Sequence, residues 1–275
     1  MTHPEGPAGV FDRVADTYDA VGVPWFGPIA AGLVAELDVR PGERVLDIGC
    51  GRGAALRPLA LATGPAGRAV GIDLAPRMVE LTARDLSDLP QVTVAVDDAR
   101  APRLPASSFD VVSASLVLFF LPDPAAALRA WAGLLVPGGR LGISTFGAQD
   151  ERWRRLDELF VPYLPQALLD ARTSGRSGPF ASDAGVAALL EGAGLEGVRT
   201  VGRTVEAVFR DPDQLVEFFW SHGQRAMWEA VPPEERDNLR DRIVDLARSI
   251  ADASGRLALG QEVRWTLGAR PAARS

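Results

Sequence analysis

The chain has 275 residues, 47% of them hydrophobic, with 36 acidic against 29 basic side chains and a net charge of −7. That is ample apolar material for one large domain or a core with an elaborated cap, and the acidic balance disfavours extended contact with nucleic-acid phosphates. The single cysteine excludes an intramolecular disulfide and a cysteine-rich zinc site; no apolar run of about 18 residues offers a membrane span, and the absence of a basic-then-apolar leader makes a cytoplasmic location the expectation.

In chain order, Phe11, Val14, Ala15 and Tyr18 share one face of a short helix predicted over residues 10–20. A second helix is predicted over 25–37, and Pro41 and Gly42 punctuate the entry to a first strand over 44–48. Residues 45–53 read VLDIGCGRG, an apolar strand running into glycines at alternate positions, Gly49, Gly51 and Gly53, before a helical run over 54–62. Glycine lets the backbone turn sharply and pass close to a ligand, because no Cβ intervenes. The next strand, 69–72, ends at Asp73, whose carboxylate suits a ribose diol lying over the glycine turn. A nucleoside-containing cofactor is therefore the leading expectation. The spacing is not the G-x-G-x-x-G of dinucleotide folds, and a carboxylate at Asp47 would repel a pyrophosphate while attracting an ammonium group. Cys50, inside the turn, reads as a small side chain in a tight space and not as a nucleophile.

Helices over 76–86 and 124–134 alternate with strands over 91–96, 109–114 and 139–145, with Pro76 suited to a first helical turn. This alternation implies a parallel sheet covered on both faces. Beyond it come an aromatic-rich stretch at 149–169, a flexible TSGRSGP at 173–179, a Ser182-capped helix over 184–191 and a strand over 197–209. A largely helical insertion, 211–259, separates that strand from a final one over 261–267.

These segments resemble the class I S-adenosylmethionine (SAM) methyltransferases. Asp47 to Gly53 match the family's D-x-G-x-G-x-G; VDDARAPRLPASSFDVV at 96–112 matches D-A-x-x-L-P-x-x-x-x-F-D; LLVPGGRLGIST at 134–145 matches L-x-P-G-G, where Pro137–Gly139 reads as a turn. Residues 11–19 resemble the F-D-x-x-A-x-x-Y-D element of the quinone-biosynthesis branch. The resemblance implies an α/β, Rossmann-like, seven-stranded mostly parallel sheet with helices on both faces and a largely helical cap. Its divisions would be an N-terminal helical lid (1–40), a SAM-binding core (41–147), a cap segment with core completion (148–210), a helical cap insertion (211–260) and a final strand with tail (261–275).

The same resemblance implies that the loop of Asp47, Gly49, Cys50, Gly51 and Gly53 wraps the methionine part of SAM, and that Asp73, with Leu74 beside it, binds the ribose. Asp98 and the Ala99 N–H suit the adenine edge, with Asp97 as the alternative one residue away. Met78 is placed against the adenine or in helix core, Tyr18 over the cofactor or in helix packing, and Ser115 in the loop after the fourth strand. In that loop many relatives carry histidines where this chain has Phe119 and Phe120, of which at most one lines a pocket.

The insertion contains FFWSHGQRAMWEA, so Phe219, Trp220 and His222 are candidates for an acceptor pocket, or equally for a dimer surface. His222 is one of only two histidines. It is the candidate general base, or a residue that hydrogen-bonds across the cap. No histidine or carboxylate grouping suggests a metal. The expected function is methyl transfer from SAM, giving S-adenosylhomocysteine, to the carbon or oxygen of a small, largely apolar metabolite of specialised biosynthesis, with a small-molecule acceptor and no nucleic-acid partner. A nucleic-acid methyltransferase and a non-catalytic SAM-binding protein are the alternatives; monomer and homodimer stay open.

Overall fold

The computed structural model describes residues 7–164 and 177–273; the expectation for 173–179 therefore falls largely outside the described residues, as does the end of the aromatic-rich stretch. The elements run α1 (Pro7–Val14), α2 (Phe26–Leu37), β1 (Arg44–Ile48), α3 (Leu56–Thr63), β2 (Arg68–Asp73), α4 (Pro76–Asp85), β3 (Val92–Val96), β4 (Phe109–Ser115), α5 (Pro124–Leu134) and β5 (Leu135–Gln149). Then follow α6 (Glu151–Glu158), α7 (Asp183–Gly192), β6 (Glu196–Phe209), α8 (Pro212–Ser221), α9 (Arg225–Ala230), α10 (Arg236–Ile250) and β7 (Leu257–Ala269).

The seven strands form one sheet in the order β3-β2-β1-β4-β5-β7-β6. β1 pairs in parallel with β2 and β4, while β7 runs antiparallel to both β5 and β6. The chain order reverses between β1 and β4. In open α/β sheets that reversal opens a crevice beyond the carboxyl ends of the strands, where ligands bind. Val45, Leu46, Val111, Val112, Leu141 and Ile143 are all fully buried, as a sheet covered on both faces requires. α2 lies close on β5 because Gly142 has no side chain: a Cβ there would meet Leu37 and Leu33 at 2.9 and 3.0 Å.

Several expected boundaries move, among them the final strand, which starts at Leu257 where residue 261 was expected and so shortens the insertion, and β5, which starts at Leu135 where 139 was expected. α1 ends at Val14, and a turn carries Tyr18 beyond it, closed by Thr17 and Tyr18 N–H bonds to the Val14 carbonyl. β5 extends past Thr145 to Gln149, because β7 supplies pairing partners as far as Gln261. The Ser182 cap forms as expected, its Oγ accepting from Gly185 N at 3.1 Å. The insertion is helical and shares a core with the sheet. Trp153 of α6 meets Trp25, Phe209 and Phe218, and Phe160 meets Phe219 and Trp228.

Candidate active site

The turn after β1 is built by main-chain bonds that only a glycine-rich segment can make. Gly49, Gly51 and Gly53 adopt φ of +66°, +47° and +81°, a region costly for residues with a Cβ. The Cys50 N–H donates to the Ile72 carbonyl at 2.9 Å, and the Gly53 N–H to the Cys50 carbonyl at 2.7 Å. Thr82 Oγ1 donates to the Gly51 carbonyl at 2.6 Å. A Cβ on Gly49 would strike Val117 at 2.5 Å, whereas one on Gly51 would meet no protein atom within 4 Å. Gly51 thus faces open space at the crevice. Cys50 is buried, burial pushes its thiol pKa well up, and its Sγ packs beside Gly71. It fills space, as the sequence suggested.

Asp73 closes the neighbouring wall. Its Oδ2 accepts from Gly51 N and its Oδ1 from Ala75 N, each at 2.9 Å. Each oxygen retains acceptor capacity for a ligand hydroxyl. Burial raises its pKa, and the backbone bonds oppose that rise. Leu74 beside it is 43% exposed, an apolar surface turned to the crevice rim. Asp47 lies deeper, 1% exposed, with Ser113 Oγ donating to its Oδ1 at 2.6 Å. Burial pushes its pKa up to about 7, Ser113 pulls it down, and the Asp73 carboxylate pushes it up. The sequence missed Ser113. It stands directly opposite Asp47 in the parallel register, and as one of three polar residues in that strand it carried no sequence signal of its own.

At the end of β3 the two candidate carboxylates differ in their surroundings. Asp97, 7% exposed, accepts from the N–H groups of Asp98 and Arg103 and from Arg103 Nε at 2.8–3.1 Å, and so braces the loop. Asp98 pairs with exposed Arg100 on the rim. The Ala99 carbonyl is taken by Trp131 Nε1 at 2.7 Å, while its N–H has no acceptor among the described residues. Ser115 shares a 2.9 Å hydrogen bond with Ser144 across the ends of β4 and β5. Met78 is 1% exposed and packs with Val14, Ala15 and Leu81 under the lid.

Half-buried aromatic rings surround the crevice mouth. Phe11 meets Tyr18 at 6.2 Å and Phe120 at 5.6 Å; Tyr18 stacks on Phe26 at 4.4 Å; Phe26 meets His222 at 5.7 Å. Gly223 closes the circuit against Phe11. Burial, with Asp19 and Asp73 adding, holds the Tyr18 hydroxyl protonated. His222 Nδ1 lies 2.6 Å from the Phe218 carbonyl, and burial pulls the ring down to about 4, so it is neutral near pH 7. Phe120 is 37% exposed, while Phe119 is buried against Phe146 and Phe180. Phe219 and Trp220 lie elsewhere: Phe219 is fully buried on Phe160, and Trp220 stacks on Trp228 with Arg225 and Arg236 over its ring. Consecutive helical positions diverge by about 100°, so the α8 run FFWS cannot turn all its rings to one opening. Phe26, missed in the sequence, had no signal beyond its place at the start of a predicted helix.

These residues fit a SAM-sized group. Open space over Gly51, spare acceptors on Asp73, the apolar Leu74 and the unpaired Ala99 N–H match respectively a close-lying chain, a diol, a ring face and a ring nitrogen. No grouping of three His, Cys, Asp or Glu able to hold a metal occurs among the described residues. Nor is any described helix long and apolar enough to cross a membrane.

Comparison with known proteins agrees. The methyltransferase domain family matches residues 46–143. Nocamycin O-methyltransferase of Saccharothrix syringae is 39% identical over 241 residues, covering 82% of this chain and 85% of the relative. Aklanonic acid methyltransferase of Streptomyces sp. (strain C5) is 41% identical over 162 residues, covering 58% of this chain and 74% of the relative. The YcgJ protein of Bacillus subtilis shares the fold, with a TM-score of 0.57 at 17% identity over 89% of this chain and 98% of its own. The chain belongs to the class I SAM-dependent methyltransferases, related to the bacterial small-molecule O-methyltransferases, and it transfers the SAM methyl group to a small metabolite.

Proposed function

We propose that the acceptor atom is an oxygen, the weakly acidic hydroxyl of a largely apolar metabolite of specialised biosynthesis. One observation carries this: in the aromatic mouth, His222 is the group that is neutral near pH 7 and able to take a proton. Carbon acceptors activated as enolates need no such group, and one relative is by name an O-methyltransferase.

SAM, when bound, supplies an electrophilic sulfonium methyl group. Asp73 accepts from the ribose hydroxyls, Asp98 and the Ala99 N–H hold the adenine edge, and the Gly49–Gly53 turn cradles the methionine chain. Asp47 balances the ammonium charge from beneath. Phe11, Tyr18, Phe26 and Phe120 enclose the apolar body of the acceptor and exclude water, which fixes its approach. His222 takes the hydroxyl proton on Nε2, its Nδ1–H being held by the Phe218 carbonyl. A developing oxyanion beside the ring favours the imidazolium, offsetting the burial that depresses it in the free protein.

Methyl-labelled SAM incubated with the protein and a nuclease- and protease-treated metabolite extract tests this, with products read by mass spectrometry and NMR. The expected product is a small molecule bearing a labelled O–CH3; a labelled C–CH3 contradicts the proposal. With that acceptor, His222→Gln lowers kcat about 100-fold at neutral pH, and the deficit shrinks as pH rises and the acceptor ionises by itself.

A further inference from the structure

Ser115 and Ser144 stand side by side in register on β4 and β5, with their hydroxyl oxygens 2.9 Å apart. Ser144 is fully buried and Ser115 half-buried. The next residue, Leu116, has a φ of +58°, a left-handed backbone that is costly for a residue with a Cβ. Its N–H is held there by Ser144, 3.2 Å from the carbonyl and 3.0 Å from Oγ. A hydroxyl has one proton to give. The Ser144 proton has one acceptor among the described residues, Ser115 Oγ; turned elsewhere, it would be a buried donor without a partner. The direction of the bond is therefore fixed. Leu116 N–H donates to Ser144 Oγ, and Ser144 O–H donates to Ser115 Oγ. The Ser115 proton is left over, with no acceptor among the described residues.

Sheet order decides which ligand that free donor meets. The groups matched to the cofactor, the glycine turn, Asp73 and the Ala99 N–H, follow β1, β2 and β3. Ser115 and Ser144 lie on the other side of the switch point, on β4 and β5, with neighbouring strands about 4.8 Å apart. From there the chain runs through Leu116 and Val117 into the turn that carries Phe120 to the aromatic mouth. We propose that Ser115 is a specificity-determining residue for the acceptor: its O–H donates to a carbonyl oxygen conjugated with the hydroxyl that is methylated. The metabolite is then an enol or phenol with a neighbouring ketone. The inference rests on the O-methylation reading in the proposed function.

A ketone oxygen only accepts, so it suits a donor whose direction is already set. When the conjugated hydroxyl ionises, its charge spreads onto that ketone oxygen. A hydrogen bond there favours the anion over the neutral form and makes the hydroxyl more acidic. His222 needs such an acceptor, because burial makes its ring a weak base. The hydroxyl proton passes to His222 Nε2, and a lone pair of the same oxygen forms the new O–CH3 bond. The methyl–sulfur bond breaks with its electron pair going to sulfur, leaving a neutral thioether. The ketone keeps its Ser115 bond throughout. The titratable groups about the mouth are Tyr18 and Asp19 after the lid helix, Asp73 at the end of β2 and His222 in the cap. None of them hydrogen-bonds to Ser115 or Ser144.

The labelled product of the unmodified protein gives the first test. Its O–CH3 is expected on a carbon conjugated to a C=O. A labelled ether of an isolated alcohol, or of a phenol without a neighbouring ketone, overturns this proposal and leaves O-methylation intact, whereas a labelled C–CH3 sinks the proposed function itself. Ser115→Ala gives the second. Calorimetric titration with S-adenosylhomocysteine needs no acceptor, and affinity is expected within about twofold of wild type. A tenfold loss would put Ser115 on the cofactor and overturn the proposal. With the identified acceptor, kcat/KM should fall about tenfold, and the rise of kcat with pH should move up by about one unit because the bound hydroxyl is less acidic. An unmoved pH profile in the folded variant overturns the proposal.

Discussion

Asp47 and His222 are displaced by the same cause in opposite senses, because burial penalises the anion of one and the cation of the other. Asp47, ordinarily near 3.8, stands at about 7. Between those values the folded chain keeps a proton that the unfolded chain has released. Its contribution to stability is therefore fully present below about pH 4 and is lost as pH rises toward 7. His222, ordinarily near 6.5, stands at about 4. There the unfolded chain takes a proton that the folded chain refuses, so stability is lost as pH falls through that window. Thermal melts of the cofactor-free protein check both. Asp47→Asn should gain roughly 4 °C more over wild type at pH 8 than at pH 5. His222→Gln should lose about 1–2 kcal/mol less than wild type between pH 7 and pH 5. Parallel pH profiles in variant and wild type would contradict either assignment. The sequence made both residues legible as candidates, one by its motif and one by rarity. It did not show the hydrogen bonds of Ser113 to Asp47 or of Gln224 to Asp157, because those contacts join residues 66 and 67 positions apart.

The lid is held at both ends by charge. Arg13 reaches Glu229 of α9 through two bonds at 3.1 and 2.5 Å, and Arg77 of α4 meets Asp16 at 2.6 Å while its N–H donates to Asp12. Half-exposed pairs of this kind contribute only about 0–1 kcal/mol to global stability. Arg13→Ala should leave the melting temperature within about 3 °C of wild type. Amide exchange in α1 should become several-fold faster, and the acceptor KM should rise. Unchanged exchange would mean that apolar packing of Phe11 and Val14 alone holds the lid. Period and punctuation made the core elements legible, α5 among them over its full length. The lengths of β5 and β7 were not, because pairing with each other extends both. Nor was the fate of the insertion's aromatics: composition marks FFWSHGQRAMWEA as apolar, but only packing against α6 decides that Phe219 and Trp228 complete the cap's interior.

Across the whole molecule, the sheet order places the carboxyl ends of β1, β2, β3 and β4 along one crevice, and the lid and the insertion roof it from opposite ends of the sequence. The glycine turn, Asp73 and the loop after β3 were readable because each is local. The roof was not, since it forms where residues 11, 26, 120 and 222 converge. The proposed seat of SAM over Gly51 is tested by two alanine substitutions. Gly51 and Gly42 both have positive φ, +47° and +86°, and a Cβ on either meets no protein atom within 4 Å. Both Gly51→Ala and Gly42→Ala should therefore lose about 1 kcal/mol of stability through backbone strain alone. Calorimetric titration with S-adenosylhomocysteine should then show affinity lost by at least about tenfold in Gly51→Ala, where the methyl group intrudes on the ligand, and retained in Gly42→Ala. Equal affinities in the two folded variants would contradict the placement of the cofactor.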